Sequence, residues 1–215
     1  MSLPTQMRVV EMSEFGEPDV LIESKRDLPE VPAETVLIKV IAAGVNGPDL
    51  VQRRGHYPPP KGASDLLGLE VSGEIVDVGC DQTKWSIGDK VCALTNGGGY
   101  AEYVAVNARH CLPIPDGVDE QDAAGLPETY FTVWSNIFFN QKIKDGTVFL
   151  VHGGLAALGP QQSKLARPWA YKSLQRQVQP MPVHIVRILG HSVRSISMKR
   201  ILSQSCVKLV EQILF

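Results

Sequence analysis

The run Thr147-Val148-Phe149-Leu150-Val151-His152-Gly153-Gly154 is a continuous β-rich stretch that ends on two glycines. A parallel strand buried on both faces delivers its chain to a phosphate in this way: side chains stop, and bare backbone closes on the anion at the start of the next helix. Gly153 and Gly154 are therefore candidate cofactor-binding residues, and His152 reads as structural. The turn then breaks off. Leu155-Ala156-Ala157-Leu158-Gly159-Pro160 supplies one further glycine, crowds the bend with side chains and loses a donor N–H at Pro160. The second glycine cluster, Gly97-Gly98-Gly99, reads as a close-packed turn, because no strand and helix flank it in the order a phosphate loop requires. Cys80, Cys92, Cys111 and Cys206 form no Cys-x-x-Cys pair and have no His at ligand spacing. Reduced thiols and no structural zinc are expected.

The elements that must carry these groups change character along the chain. Val36, Ile38 and Val40, with Leu37 and Ile41 between them, predict a mostly buried strand ending at Ala42-Ala43-Gly44. Residues 44–60, GVNGPDLVQRRGHYPPP, predict a turn, a short helical piece and a proline-stiffened loop. Strands are predicted at 69–79, 89–94 and 101–106, with Gly79, Gly88-Asp89 and the triple glycine as turns. Many short strands with glycine turns predict a small β-barrel or sandwich. Beyond residue 114, Asp119, Glu120 and Asp122 suit the positive end of a helix dipole, and Pro127 opens a second helix that leads to the 147–154 strand.

Composition separates residues 1–154 from the rest of the chain. The 215 residues are 44% hydrophobic and carry a net charge of −2, enough for one full domain and part of a second. Residues 1–154 hold 12 Lys+Arg against 22 Asp+Glu, whereas 155–215 hold 9 against 1. Two of the 19 glycines but seven of the 12 glutamines lie in that tail. No apolar run follows a basic cap at the N-terminus, and no stretch of roughly 18 apolar residues occurs, so neither secretion nor a membrane span is expected.

Taken in order, the stretches AAGVNGPDLVQRRGHYPPP, LGLEVSGEIVDVG, IGDKVCAL, GGGYAEYVAV, PIPDG, PETYFTVW and VFLVHGG resemble the zinc-independent quinone oxidoreductases of the medium-chain dehydrogenase/reductase superfamily, of the p53-inducible type. The resemblance covers residues 8–154. It implies an α+β and α/β combination: a GroES-like β-barrel catalytic domain over 1–125, incomplete here, and the start of an NADPH-binding Rossmann domain over 126–154. It implies a cytoplasmic enzyme that transfers hydride from NADPH to a small-molecule quinone without a metal, and a homodimer paired through the Rossmann sheet. Zinc-dependent relatives carry Gly-His-Glu where this chain has Gly68-Leu69-Glu70, and a ligand Cys near the place of Asn46. Leucine and a carboxamide leave zinc short of donors. By the same resemblance Asn46 and Tyr57 are the catalytic candidates, near the nicotinamide and the quinone carbonyl, with Thr132 near the cofactor. A phenol or a carboxamide can donate to an oxygen that gains charge as hydride arrives. The residues alone also admit blander readings: Asn46 as a turn residue, Tyr57 as a ring packed on prolines, and Thr132 as a hydroxyl bonded back along its helix.

Residues 155–215 do not resemble that family as written, but they do so one frame away. If each codon is rebuilt from the last base of one residue and the first two of the next, the stretch through Ser163 permits Ser-Gly-Ile-Gly-Thr-Thr-Ala-Ile, the missing glycines and the start of the helix. Residues 155–215 are therefore expected to be a frame-shifted, non-native tail, with NADPH affinity, turnover and the homodimer impaired or lost. The alternative is a non-catalytic protein whose basic tail binds nucleic acid or an anionic membrane through Ile185, Ile188, Ile196 and Leu209 mixed with Arg187, Arg194 and Lys208. The tail's only aromatic residues are Trp169, Tyr171 and Phe215, poor provision for stacking bases, and neither partner is expected.

Overall fold

The computed structural model describes residues 3–79 and 84–139 together with three strand segments, 148–152, 172–176 and 185–186. The first two strands, β1 (Gln6–Met12) and β2 (Leu21–Asp27), form an antiparallel pair running from Gln6↔Asp27 to Met12↔Leu21. A longer strand, β3 (Thr35–Gly44), comes next, then α1 (Gly47–Arg53), β4 (Glu70–Val78), β5 (Lys90–Leu94), β6 (Tyr103–Asn107) and β7 (Cys111–Pro113). Two helices, α2 (Glu120–Ala123) and α3 (Pro127–Trp134), lead through a π-turn at Ser135–Phe139 to β8 (Val148–His152), β9 (Lys172–Arg176) and β10 (Ile185–Val186).

β3 is the axis of the main sheet. Antiparallel β4 lies along one edge; β6 takes the other edge at Thr35–Lys39 and β10 takes it at Ala43–Gly44. The sheet continues from β4 to β5 to β7. β8 and β9 pair in parallel, from Val148↔Lys172 to His152↔Arg176, as the β-rich run before Gly153 leads one to expect.

Burial on both faces explains the apolar runs. On β5, Val91 and Ala93 enter one core with Val36, Ile38 and Val40, while Cys92 between them faces a second core built with Leu126, Tyr130, Val133 and Trp134. The alternation of β3 changes phase after Val40, since Ala43 shares the core of Val36, Ile38 and Val40 while Ala42 joins the other. The cause is a register shift between Val40 and Ala42, where Ile41 has no partner in β4. One extra residue inverts every side chain beyond it, so the bulge decides which face of the sheet Gly44 and Asn46 approach.

The predicted strands and helices at 36–41, 69–79, 89–94, 101–106 and after Asp119 and Pro127 correspond to β3, β4, β5, β6, α2 and α3, with ends moved by a residue or two. β1, β2, β7, β9 and β10 have no counterpart in the prediction. Among the described residues no helix is long and apolar enough to cross a membrane.

Candidate active site

The site is built where three elements start. At the head of α1, Asn46 is extended (φ −117°, ψ 161°), Pro48 fits the first turn, and Asn46 and Asp49 close a capping box in which the Asn46 N–H donates to Asp49 Oδ2 at 2.8 Å. Asp49 is 2% exposed, and its Oδ1 accepts from the Gly68 N–H at 3.0 Å. Gly68 has φ +102°, and a Cβ there would stand 2.6 Å from Gly99 Cα, so only glycine brings this loop so close to the triple-glycine turn. The Tyr100 phenol lies against Asp49. Burial raises the Asp49 carboxyl, and the Asn46 and Gly68 amides pull it back.

Glu70, the first residue of β4, is 1% exposed and stands between two helices. Its Oε1 accepts from Asn46 Nδ2 at 2.8 Å, and its Oε2 accepts from the Glu128 backbone N–H, in the first turn of α3, at 2.9 Å. Burial pushes this carboxyl up to about 8, against the two donors that favour its charged form. The carboxylate occupies the space a side chain at residue 44 would need: a Cβ on Gly44 would fall 2.1 Å from Glu70 Oε1. Half-buried Glu128 is also raised by desolvation, and Thr132 Oγ1 donates to its Oε1 across a long 3.5 Å.

Asn46 and Thr132 are thus brought together, through Glu70 and Glu128, from elements far apart in sequence. Tyr57 stands on the proline-stiffened loop beyond α1 with 47% of its surface exposed. Gly153 and Gly154 lie outside the described residues. The acids Glu70, Asp49 and Glu128 were not anticipated as site residues. Asp49 carried a legible signal, since Asn46-Gly47-Pro48-Asp49 has capping-box spacing; Glu70 carried only the oddity of a carboxylate opening an apolar strand.

The donors offered to a ligand are an amide and a hydroxyl, beside acids whose burial favours the neutral form. An amide and a hydroxyl can each pair with the carboxamide of a nicotinamide, which carries both donors and an acceptor. Among the described residues no three His, Cys, Asp or Glu side chains gather as metal ligands, and burial pushes the Cys111 thiol up to about 12.

A separate cleft of about 240 Å³ is lined by Ser64, Thr95, Gly97, Gly98, Tyr103 and His110 and contains none of the predicted site residues. The triple glycine there is spent on packing: the Gly98, Gly99 and Tyr100 N–H groups donate to the Leu66, Gly68 and Leu67 carbonyls. They are not left to hold a phosphate.

Residues 32–116 match the alcohol dehydrogenase GroES-like domain family. The chain is 34% identical over 170 residues to the quinone oxidoreductase of Rattus norvegicus, an alignment covering 78% of this chain and 52% of that one. Among solved structures it is similar to the human synaptic vesicle membrane protein VAT-1 homolog-like protein, with a TM-score of 0.73 and 27% identity over 81% of this chain and 57% of the other. It is also similar to a mycobacterial protein solved in complex with NADPH, with a TM-score of 0.69 and 28% identity over 79% of this chain and 51% of the other. The chain spans about half the length of the curated relatives it matches.

Proposed function

We propose, from the premise that this chain belongs to the quinone-oxidoreductase-like members of the medium-chain dehydrogenase/reductase superfamily, that Asn46 and Tyr57 form the substrate side, and Thr132 part of the cofactor side, of a site for metal-free hydride transfer from NADPH to a quinone. The observation that carries the reading is the Asn46 carboxamide, held at the junction of α1, β4 and α3 with one of its N–H bonds committed to Glu70. The other N–H is left to donate to an oxygen that gains negative charge, where a donor fixed before the reaction costs no reorganisation.

NADPH, when bound, supplies the hydride. Thr132 is assigned to hold the cofactor: its hydroxyl spends only a long contact on Glu128 and can turn to a ligand. Tyr57 is assigned to the quinone, its exposed phenol free to donate to the second carbonyl or to stack its ring on the substrate. Gly153 and Gly154 are assigned to the pyrophosphate end of the cofactor, at the end of β8. The partner is a small-molecule quinone and the location cytoplasmic.

A reading-frame change after Gly154, as the sequence leads one to expect, would bear on competence. In that frame the Ser-Gly-Ile-Gly turn that would admit the pyrophosphate is written as Ala156, Ala157, Leu158 and Gly159. NADPH fluorescence titrated with the 215-residue chain, and with a chain translated in the shifted frame from codon 155, tests this. The frame-restored chain is expected to bind at micromolar concentrations and the written chain at least about 10²-fold more weakly, a loss of roughly 2.7 kcal/mol. Equal affinity of the two chains would make the frame irrelevant to cofactor binding, and no binding by either would remove NADPH.

A further inference from the structure

We infer that Glu70 is the positioning residue of this site: its carboxyl group fixes the Asn46 carboxamide and the first turn of α3 in a single arrangement. The inference rests on the reading of Asn46 proposed above.

Three observations converge on it. Glu70 is buried at the start of β4, where a lone carboxyl would be costly without partners. Its two oxygens are divided between two elements, Oε1 for Asn46 Nδ2 and Oε2 for the Glu128 N–H. α3 has no side-chain cap from its own N-cap residue, Leu126, so Glu70 supplies that acceptor from another strand. Third, the backbone gives way to it, since Gly44 lacks the atom that would collide with the carboxyl head and stem, at 2.1 Å from Oε1, 2.6 Å from Cδ and 2.7 Å from Cγ.

The chemistry of the group matters as much as its place. In its ionised form the carboxylate has lone pairs on both oxygens and no proton to donate, and so accepts from both neighbours at once. Glutamine of the same shape turns one of those oxygens into an NH2 donor, which must then face either the Asn46 amide or the Glu128 N–H. A half-satisfied pair frees the carboxamide to rotate, and a donor that rotates has lost the preorganisation on which transition-state stabilisation depends. Glu70 therefore acts through Asn46 and needs no contact with substrate.

The test is nuclear magnetic resonance on the 215-residue chain, reading the Asn46 side-chain amide, assigned by its loss in Asn46→Asp. In the wild type its resonances are expected well away from those of exposed amides and slow to exchange. In Glu70→Gln they are expected to collapse towards exposed-amide values, while the Asn107 side-chain amide stays put. A second measurement needs no variant: across pH 5–10, the Asn46 amide shift and the Glu70 carboxyl carbon should follow one midpoint, with the facing Asp49 and Glu128 carboxyls and the Tyr100 phenol assigned separately. An Asn46 amide unchanged in Glu70→Gln, or flat while Glu70 titrates, overturns the inference. If Glu70→Gln does not fold, the wild-type titration alone decides. In the frame-restored chain, Glu70→Gln is expected to lower kcat by on the order of 10²-fold, the cost of a misplaced catalytic group, with KM little changed. Loss of quinone turnover in every chain, with Asn46 still tied to Glu70, would sink the functional reading and leave the positioning role standing.

Discussion

Replacing Gly44 by alanine is expected to destabilise the β-sheet domain by about 3–5 kcal/mol, as overpacking combined with loss of hydrogen bonds to a buried carboxyl group. The new Cβ would need the space that Glu70 Oε1 and its stem fill, and Glu70 cannot retreat without abandoning Asn46 and the head of α3. Against a total stability of about 5–15 kcal/mol this is a large fraction. Thermal melting should show a midpoint lowered by roughly 10 °C or more. Gly47→Ala is the control: it sits three residues away, where an added Cβ meets nothing within 4 Å, and its midpoint should stay close to the wild type. A Gly44→Ala midpoint within about 2 °C of wild type would mean that the Glu70 carboxyl does not fill the space beside residue 44.

Removing the Asn46 side chain is expected to act on rate more than on stability. In the frame-restored chain, Asn46→Ala should lower kcat for NADPH-dependent quinone reduction by about 10²–10³-fold, the usual cost of deleting one preorganised donor to a developing oxyanion. Asn46→Asp is more telling than alanine. It keeps the volume and a capping oxygen but removes the N–H donors, and it sets a third carboxyl against Glu70 and Asp49, so it should be as inactive as alanine. Retention of kcat within about threefold in either variant would transfer the donor role elsewhere. Steady-state kinetics with NADPH and a naphthoquinone measures it.

The sheet was legible where side chains alternate between two buried faces. Val36, Ile38 and Val40 announce β3, and the glycine turns bound β4 to β6. β1 and β2 escape because they are half-exposed and held by charges whose partners are distant in sequence: Arg8 pairs with Glu102, while Arg26 pairs with Glu11 and Asp65. No local period records such a pairing. Much the same holds for the site. Asn46 and Thr132 were candidates from the family motifs, but the acids beside them could not be named, because Glu70 and Glu128 lie 58 residues apart and meet only after β4 and α3 are packed. Gly44 looked like the end of a strand; its Cβ-free space for Glu70 is a fact of three dimensions. The bulge at Ile41, which sets the face from which Gly44 meets Glu70, was equally hidden within an apolar run.

A quinone should be received at Asn46 and Tyr57, beside the cofactor held at Thr132, and not in the cleft beside the triple glycine. Titrating a naphthoquinone into isotope-labelled, frame-restored protein held with NADP+, and following backbone and side-chain amide shifts, tests this most directly. The shifts are expected to concentrate on the Asn46 side chain and on the Tyr57 and Thr132 backbone amides, leaving Gly97, Gly98 and His110 unmoved. Shifts confined to Ser64, Gly97, Gly98 and His110 would contradict it.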